Sequence, residues 1–332
     1  LGGRGLKPGR GDLTPPAGRG HDGTMRRVYF ILGCTASGKG ALGRELARRV
    51  GGQILSVDSM KVYRRMDIGT AKPSAQARAE VPHHAIDVVE PSEGFSVAEY
   101  VRCADSAIET IAAAGEVPLA VGGTSLYVKA LCEGLFEGPP ADEAYRAELA
   151  EREARVGLAA LHGQLAEVDP PAAERIHPND RKRIVRAMEV HHATGTPISE
   201  LQRQWDAGRQ RYDAVFVGLR RDKADQSRRI NARAKRMMEA GLVAEVAALL
   251  AEPHPLSDQA AQAVGYAEII DHLNGRCTLE QAYERIKVNT RRLAKSQRTW
   301  HRRFPDVHWL DVTADDSAAS AADRLLQEVD FH

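Results

Sequence analysis

The sequence predicts an α/β protein, a parallel sheet core with an all-helical insertion. Three observations predict it. Apolar strand-like runs alternate with segments of helical apolar spacing from Val28 to Leu135, the order that builds parallel sheets. Residues 141–203 carry no strand signal, and a strand pattern returns at Ala214–Leu219, so 139–212 reads as an insertion between core segments 25–138 and 213–332. A glycine loop joins the first strand to the first helix, where such sheets place phosphates.

In order, Val28 to Leu32 is a buried strand, followed by Gly33-Cys34-Thr35-Ala36-Ser37-Gly38-Lys39-Gly40. Behind it Ala41, Leu42, Leu46 and Val50 keep helical spacing. Strand, glycine loop, lysine and helix form a phosphate-binding loop: backbone N–H groups converge on anionic oxygens, and the helix end and Lys39 add positive potential. The position after the lysine ordinarily carries a Ser or Thr hydroxyl for Mg²⁺. Here it is Gly40, which favours phosphate binding over γ-phosphate chemistry.

Gln53 to Asp58 is a second strand ending in an acid, and 58–63 leaves the strand end where ligands sit. A polar loop at 66–73 precedes a third strand, His84–Val89. Ser96 to Ala114 is a helix with the capping box Ser96/Glu99. Val117 to Thr124 is a strand and glycine turn, and Thr124 to Leu135 a helix. Three or four helices fill the insertion, separated by Gly157, Pro170-Pro171, Pro178 and Gly195-Thr196-Pro197. Asn179 or Asp180 caps one whose first turns carry Arg181, Lys182, Arg183 and Arg186. Cations there oppose the helix dipole, so they are expected to serve a partner.

After the returning strand come a basic helix from Lys223, the segment Gln262 to Tyr266, and a long helix from Thr278 to Arg303. In the long helix Ile286, Leu293 and Trp300 predict a buried stripe, and Lys287, Arg291, Lys295, Arg298 and Arg302 a cationic face. A strand at Val307–Leu310 and a helix at Ala319–Val329 close the chain.

Composition narrows the function. No apolar run approaches the roughly 18 residues of a membrane span. Residues 1–24, rich in Gly, Pro and Arg, read as a disordered tail rather than a signal peptide, with Met25 a candidate start. Cys34, Cys103, Cys132 and Cys277 form no C-x-x-C pair, the usage of a reduced, cytoplasmic protein without structural zinc. His83, His84 and His177 read as packing or capping residues. Net charge is only +1, yet 220–236 holds eight basic and two acidic residues, and 285–303 eight basic and none acidic. Basic stripes on an acidic body suit a polyanion bound in one place, with solvated helix faces as the plain alternative.

Taken together, G-C-T-A-S-G-K at 33–39, V-D-S-M-K-V-Y at 57–63, M-D-I-G-T-A-K-P at 66–73, G-G-T-S-L-Y at 122–127, H-P-N-D at 177–180, V-G-Y at 264–266 and Gln297 to Trp300 resemble the tRNA dimethylallyltransferases, also called tRNA isopentenyltransferases. The resemblance runs from Val28 to Leu310 and is to the bacterial type, since the chain ends without the zinc finger of many eukaryotic members. It implies a P-loop-kinase-like core whose helical insertion grips the anticodon stem-loop of tRNA. It also implies transfer of a dimethylallyl group from dimethylallyl diphosphate to the exocyclic amine of the adenosine 3′ of the anticodon, in tRNAs reading U-starting codons. Mg²⁺ assists as cofactor, held mainly by substrate and water, with Ser37 or Thr35 in reach. A cytoplasmic monomer is expected.

The adenine amine is a poor nucleophile, and an ionised carboxylate that takes its proton corrects this. Asp58 matches the family's catalytic acid; Thr124 and Lys39 complete the catalytic set. Gly33, Cys34, Thr35, Ala36, Ser37, Gly38, Lys39 and Gly40 would cradle the diphosphate. Register against the family's arginine adds Lys223, among candidates from Arg220 on. Asp58, Ser59, Met60, Lys61, Thr124, Gln262, Gly265 and Tyr266 would meet a flipped adenosine and its neighbours. Lys182, Arg183, Arg186, Lys295, Gln297, Arg298, Trp300 and Arg302 would hold the tRNA elsewhere. Three other readings stay open: an adenylate isopentenyltransferase, a small-molecule kinase and a non-catalytic RNA-binding protein.

Overall fold

The computed structural model describes residue 18 and residues 24–134, 138–202, 210–304 and 306–331. The expected tail therefore lies outside the described residues apart from Gly18 and Thr24. The sheet contains β1 (Arg27–Gly33), β2 (Gly52–Val57), β3 (His83–His84), β4 (Val117–Gly122), β5 (Asp213–Arg220) and β6 (His308–Asp311). Their order is β3-β2-β4-β1-β5-β6, with each neighbouring pair parallel. The chain falls into two compact units, Leu1–Cys132 with Arg211–His332, and Glu133–Gln210.

In the first unit β1 is central and buried on both faces, as its unbroken apolar run requires. Tyr29 and Ile31 pack with Leu42 and Leu46 of α1 (Lys39–Val50) and with Leu325 near the chain end. Phe30, pointing the other way, meets Phe216, which in turn stacks on Phe304. Strand register aligns the loops that leave the sheet. Leu32 pairs with Gly122, and Gly122 with Val57, so β1, β4 and β2 end level. The glycine loop, the Gly123-Thr124 turn and Asp58 thus share one edge of the sheet.

Further helices run α2 (Ala75–Glu80), α3 (Val97–Ala113) and α4 (Ser125–Glu133), then α5 (Glu143–Val156) through α6 (Leu158–Val168), α7 (Pro170–Arg175), α8 (Arg181–Thr194) and α9 (Ile198–Leu201). After β5 come α10 (Lys223–Glu239), α11 (Leu242–Leu250), α12 (Asp258–Ala261), α13 (Tyr266–Leu273) and α14 (Leu279–His301), with α15 (Ala318–Glu328) last. The second unit holds five helices among its described residues around Leu149, Leu161, Leu165, Ile184 and Val190. Asp180 is the residue that caps α8, accepting from Arg183 N at 3.2 Å.

Two sequence expectations fail locally. The third strand ends at His84, because Ala85 and Asp87 take left-handed φ of 57° and 55° and turn the chain away. The predicted stripe on α14 matches its buried face only at Ile286. Leu293 is 40% exposed and Trp300 half-buried, while Ala282, Ile286, Ala294 and His301 are buried. Small alanines let neighbouring elements approach α14, and Leu293 looks into a large cavity at the sheet edge.

Candidate active site

That cavity, of about 1190 Å³, opens where β1, β2 and β4 end. One wall is the glycine loop. Gly38, at φ 102°, is the N-cap of α1, and no side chain caps that helix. The loop's carbonyls are drawn outward. Lys39 Nζ donates to Cys34 O at 3.3 Å, Gln226 Nε2 to Thr35 O at 2.7 Å, Arg229 Nε to Ala36 O at 2.9 Å and Arg221 Nε to Ser37 O at 2.7 Å. Among the described residues, the amides of Ala36, Gly38 and Gly40 donate to no protein acceptor. Loop amides free at an uncapped helix start form an anion site.

Gln297 ties this wall to the next. Its Oε1 accepts from Thr35 N at 2.7 Å, and its Nε2 donates to Gly123 O at 3.0 Å. It lines the cavity as a brace between two loops, a role its expected place on the tRNA did not foresee. Thr124 Oγ1 accepts from Ser59 N at 3.1 Å, which leaves its own proton for a ligand. Asp58 Oδ1 accepts from the amides of Met60 (3.0 Å) and Lys61 (3.4 Å). Its Oδ2 has no hydrogen-bond partner among the described residues. The turn fixes the carboxylate and keeps one oxygen open.

The cavity is strongly cationic. Lys39, Arg44, Lys61, Arg229, Arg233 and Arg236 line it. Burial, and then the nearby Lys61, push the Lys39 ammonium down to about 8, with Asp58 opposing. Burial also lowers Lys61 and Arg233, again against Asp58. Arg233 donates to Thr35 Oγ1 at 3.3 Å and to Thr70 O at 3.4 Å, but to no carboxylate. Like charges gathered in a partly buried cleft, with Asp58 the open carboxylate among them, call for a bound anion.

Of the residues expected on the diphosphate, 33–40 form the loop, and Lys223 stands apart. It is the exposed first residue of α10 and outside the cavity. The helix starts there, so its inward cations come about two and three turns later, at Arg229 and Arg233. Sequence reading missed them, although their i, i+4 spacing put both on one face. Arg221, just before the helix, is the other inward cation.

Of the expected tRNA contacts, Asp58, Ser59, Met60, Lys61, Thr124 and Gln262 line the cavity. Gly265 and Tyr266 are buried instead. Tyr266 Oη donates to Glu245 at 2.6 Å, and the same carboxylate accepts from Ile68 N at 2.8 Å. Gly69 lies so close to the tyrosine ring that a Cβ there would sit 2.3 Å from it. Tyr266 therefore shapes the 66–73 loop from behind. Lys295 and Arg302 are exposed and Arg298 half-buried. The Arg303 guanidinium covers Trp300, 4.6 Å from its ring centre. In the second unit Lys182 and Arg183 are exposed, but Arg186 is committed inward to Glu189.

The residues present do not make a protein-held Mg²⁺ site. Gly40 stands where the motif's hydroxyl would be. Ser37 is buried with its Oγ against Lys39 N, and Thr35 Oγ1 is taken by Arg233. Among the described residues no three His, Cys, Asp or Glu side chains gather.

Fold and cavity together give an α/β protein with a glycine loop, a cluster of cations and an open carboxylate at one cleft. Comparison with known proteins then places it. A family model described as IPP transferase matches residues 61–304. The tRNA dimethylallyltransferase of Geobacter sulfurreducens is 46% identical over 305 residues, covering 92% of this chain and 98% of that protein. That of Geobacillus thermodenitrificans is 43% identical over 308 residues, covering 91% and 96%. A tRNA isopentenylpyrophosphate transferase of Bacillus halodurans superposes with TM-score 0.65 at 40% identity, covering 91% and 96%. A eukaryotic dimethylallyltransferase acting on tRNA gives 0.78 at 27%, covering 91% and 77%. The chain belongs to the IPP transferase family.

Proposed function

We propose that this chain transfers a dimethylallyl group from dimethylallyl diphosphate to the exocyclic amine of the adenosine 3′ of the anticodon, in tRNAs reading U-starting codons. The observation that carries the reading is Asp58: one oxygen tied by two amides, the other open, beside a loop of free N–H groups and unpaired cations. The diphosphate lies on the loop amides with Lys39 and Arg233. The base, flipped from its stack, presents its amine to Asp58 Oδ2. As the allylic C–O bond breaks, the electron pair leaves on the diphosphate, where amides and cations stabilise it. As the C–N bond forms, the amine's proton passes to Asp58. Thr124, its proton free, orients either substrate. Any Mg²⁺ the reaction uses would ride on the diphosphate and meet the chain through water.

The anticodon stem-loop is read as held by the insertion, with Lys182 and Arg183, and by the exposed side of α14, with Lys295, Arg298 and Arg302. The reading takes the chain to act as a monomer, on tRNA in the cytoplasm.

The test is incubation with labelled dimethylallyl diphosphate and either whole tRNA or AMP. Label on tRNA adenosine is expected. Label on AMP alone would favour an adenylate isopentenyltransferase, and ATP consumption without tRNA a kinase. Asp58→Ala should lower kcat by about 10²–10⁴ with the diphosphate still bound; full-rate transfer without that carboxylate would end the reading.

A further inference from the structure

The place beside Gly40 is open. A Cβ on that residue would meet nothing nearer than Arg44 Nη1, at 4.0 Å. Arg44 lies one turn along α1. A second cavity, about 330 Å³, adjoins the first here, and both are lined by Gly40, Arg44, Lys61 and Lys72. Two of these cations have no hydrogen-bond or ion-pair partner among the described residues: the Arg44 guanidinium and the Lys61 ammonium. Lys72, by contrast, is satisfied by Asp67 and Asp87. The chain has thus lost the hydroxyl that the loop motif offers a metal, and holds two unspent positive charges around the gap.

We propose that Arg44 and Lys61 take over the work of the metal-binding hydroxyl, neutralising the diphosphate beside Gly40, so that the chain binds this group without a divalent cation. A guanidinium suits the task, since its planar fork matches two phosphate oxygens and it stays charged in a confined site. Burial works against charge on Lys61, with Asp58 opposing, so an arriving anion is what stabilises its ammonium form. The proposal rests on the reading that the glycine loop holds the diphosphate.

Calorimetric titration with inorganic diphosphate tests it, in EDTA and in excess Mg²⁺. The native chain is expected to bind in EDTA with a Kd within about threefold of that in Mg²⁺. Arg44→Ala, on a half-exposed side chain with no partner to lose, should weaken binding in EDTA about tenfold or more. Lys61→Ala should act in the same direction. Arg48→Ala, one turn on and outside the cavity, should change nothing. Native binding that vanishes in EDTA, or Arg44→Ala and Lys61→Ala binding as tightly as native, would overturn the proposal while the diphosphate reading stands. No binding in either condition would overturn both.

Discussion

Half-buried cations gather in both units of this chain, on different terms. In the helical unit Glu189 is fully buried and surrounded by donors: Arg146 Nε at 2.8 Å, Asp142 N at 2.8 Å and Arg186. Burial works against its charge, yet the Arg186, Asp142 and Arg146 bonds win, and the carboxyl is held below the usual range. Arg186 spends its remaining fork on Pro139 O at 2.8 Å. In the sheet unit Lys39, Lys61 and Arg233 gather around Asp58 alone, with nothing else to match them. Matched burial is architecture. Unmatched burial costs stability unless something arrives to complete it, and that marks the cavity as a place for an anion.

The largest effect that would test this contrast is at Arg233. Arg233→Ala removes a cation that contacts the loop through Thr35 Oγ1 and has no carboxylate to strand. Diphosphate affinity should fall about 10–100-fold, the worth of a charge-assisted hydrogen bond, while the melting temperature holds or rises. A stability loss with unchanged affinity would make the cavity cations structural after all.

Arg186→Ala should do the reverse. It strips a donor from a buried carboxylate and should destabilise the chain by about 1–3 kcal/mol, near the low end because Arg146 and the Asp142 amide remain. The sign with pH comes from the lowered carboxyl. Its stabilisation is complete above the ordinary glutamate pKa of about 4.3 and is lost as pH falls through the lower folded-state value. Glu189→Gln should flatten that acid limb in denaturant melts.

Lys39 offers a smaller, pH-resolved effect. With its ammonium pushed down to about 8 in the free cavity, part of the population is neutral there at mildly alkaline pH. An anion restores the charge, so diphosphate binding above pH 8 should take up protons, and affinity should decline as pH rises. Calorimetry in two buffers of different ionisation enthalpy reads the uptake directly. Lys39→Arg, charged throughout, should remove the share of the uptake that belongs to Lys39.

The same division governs how much of the molecule was legible in the sequence. Local rules exposed the glycine loop, the strand before it, the Ser96/Glu99 capping box and Asp58, because each is set by neighbours in the chain. The expected capping box is formed on both sides, Glu99 N to Ser96 Oγ at 3.2 Å and Ser96 N to Glu99 at 2.7 Å. What composition hid was destination. Arg186 and Arg233 both sit in basic runs, and nothing local says that one meets a buried glutamate 3 residues on while the other meets a loop 198 residues back. Register against the family's arginine points to Lys223, and a helix that begins at that residue carries it outward. Leu293 fitted an apolar repeat but faces a cavity that no repeat encodes.

The smallest expected effect separates the two arginines that sequence put side by side. Arg183 is exposed, held only loosely to Asp180 at 3.4 Å, and lies on the same helix as Arg186. If it meets an RNA phosphate, Arg183→Ala should raise the tRNA KM a few-fold and lower the salt dependence of binding by about 0.7–0.9 in log–log slope, with stability unchanged. Arg186→Ala should show the opposite profile, because its charge is already spent. Equal slopes for Arg183→Ala and the native chain would move the stem-loop off this helix face and leave α14 as the cationic surface to examine. A slope change at Arg186 as well would mean that Glu189 gives up its partner when RNA arrives, and the line between matched and unmatched cations would then be one that substrate binding redraws.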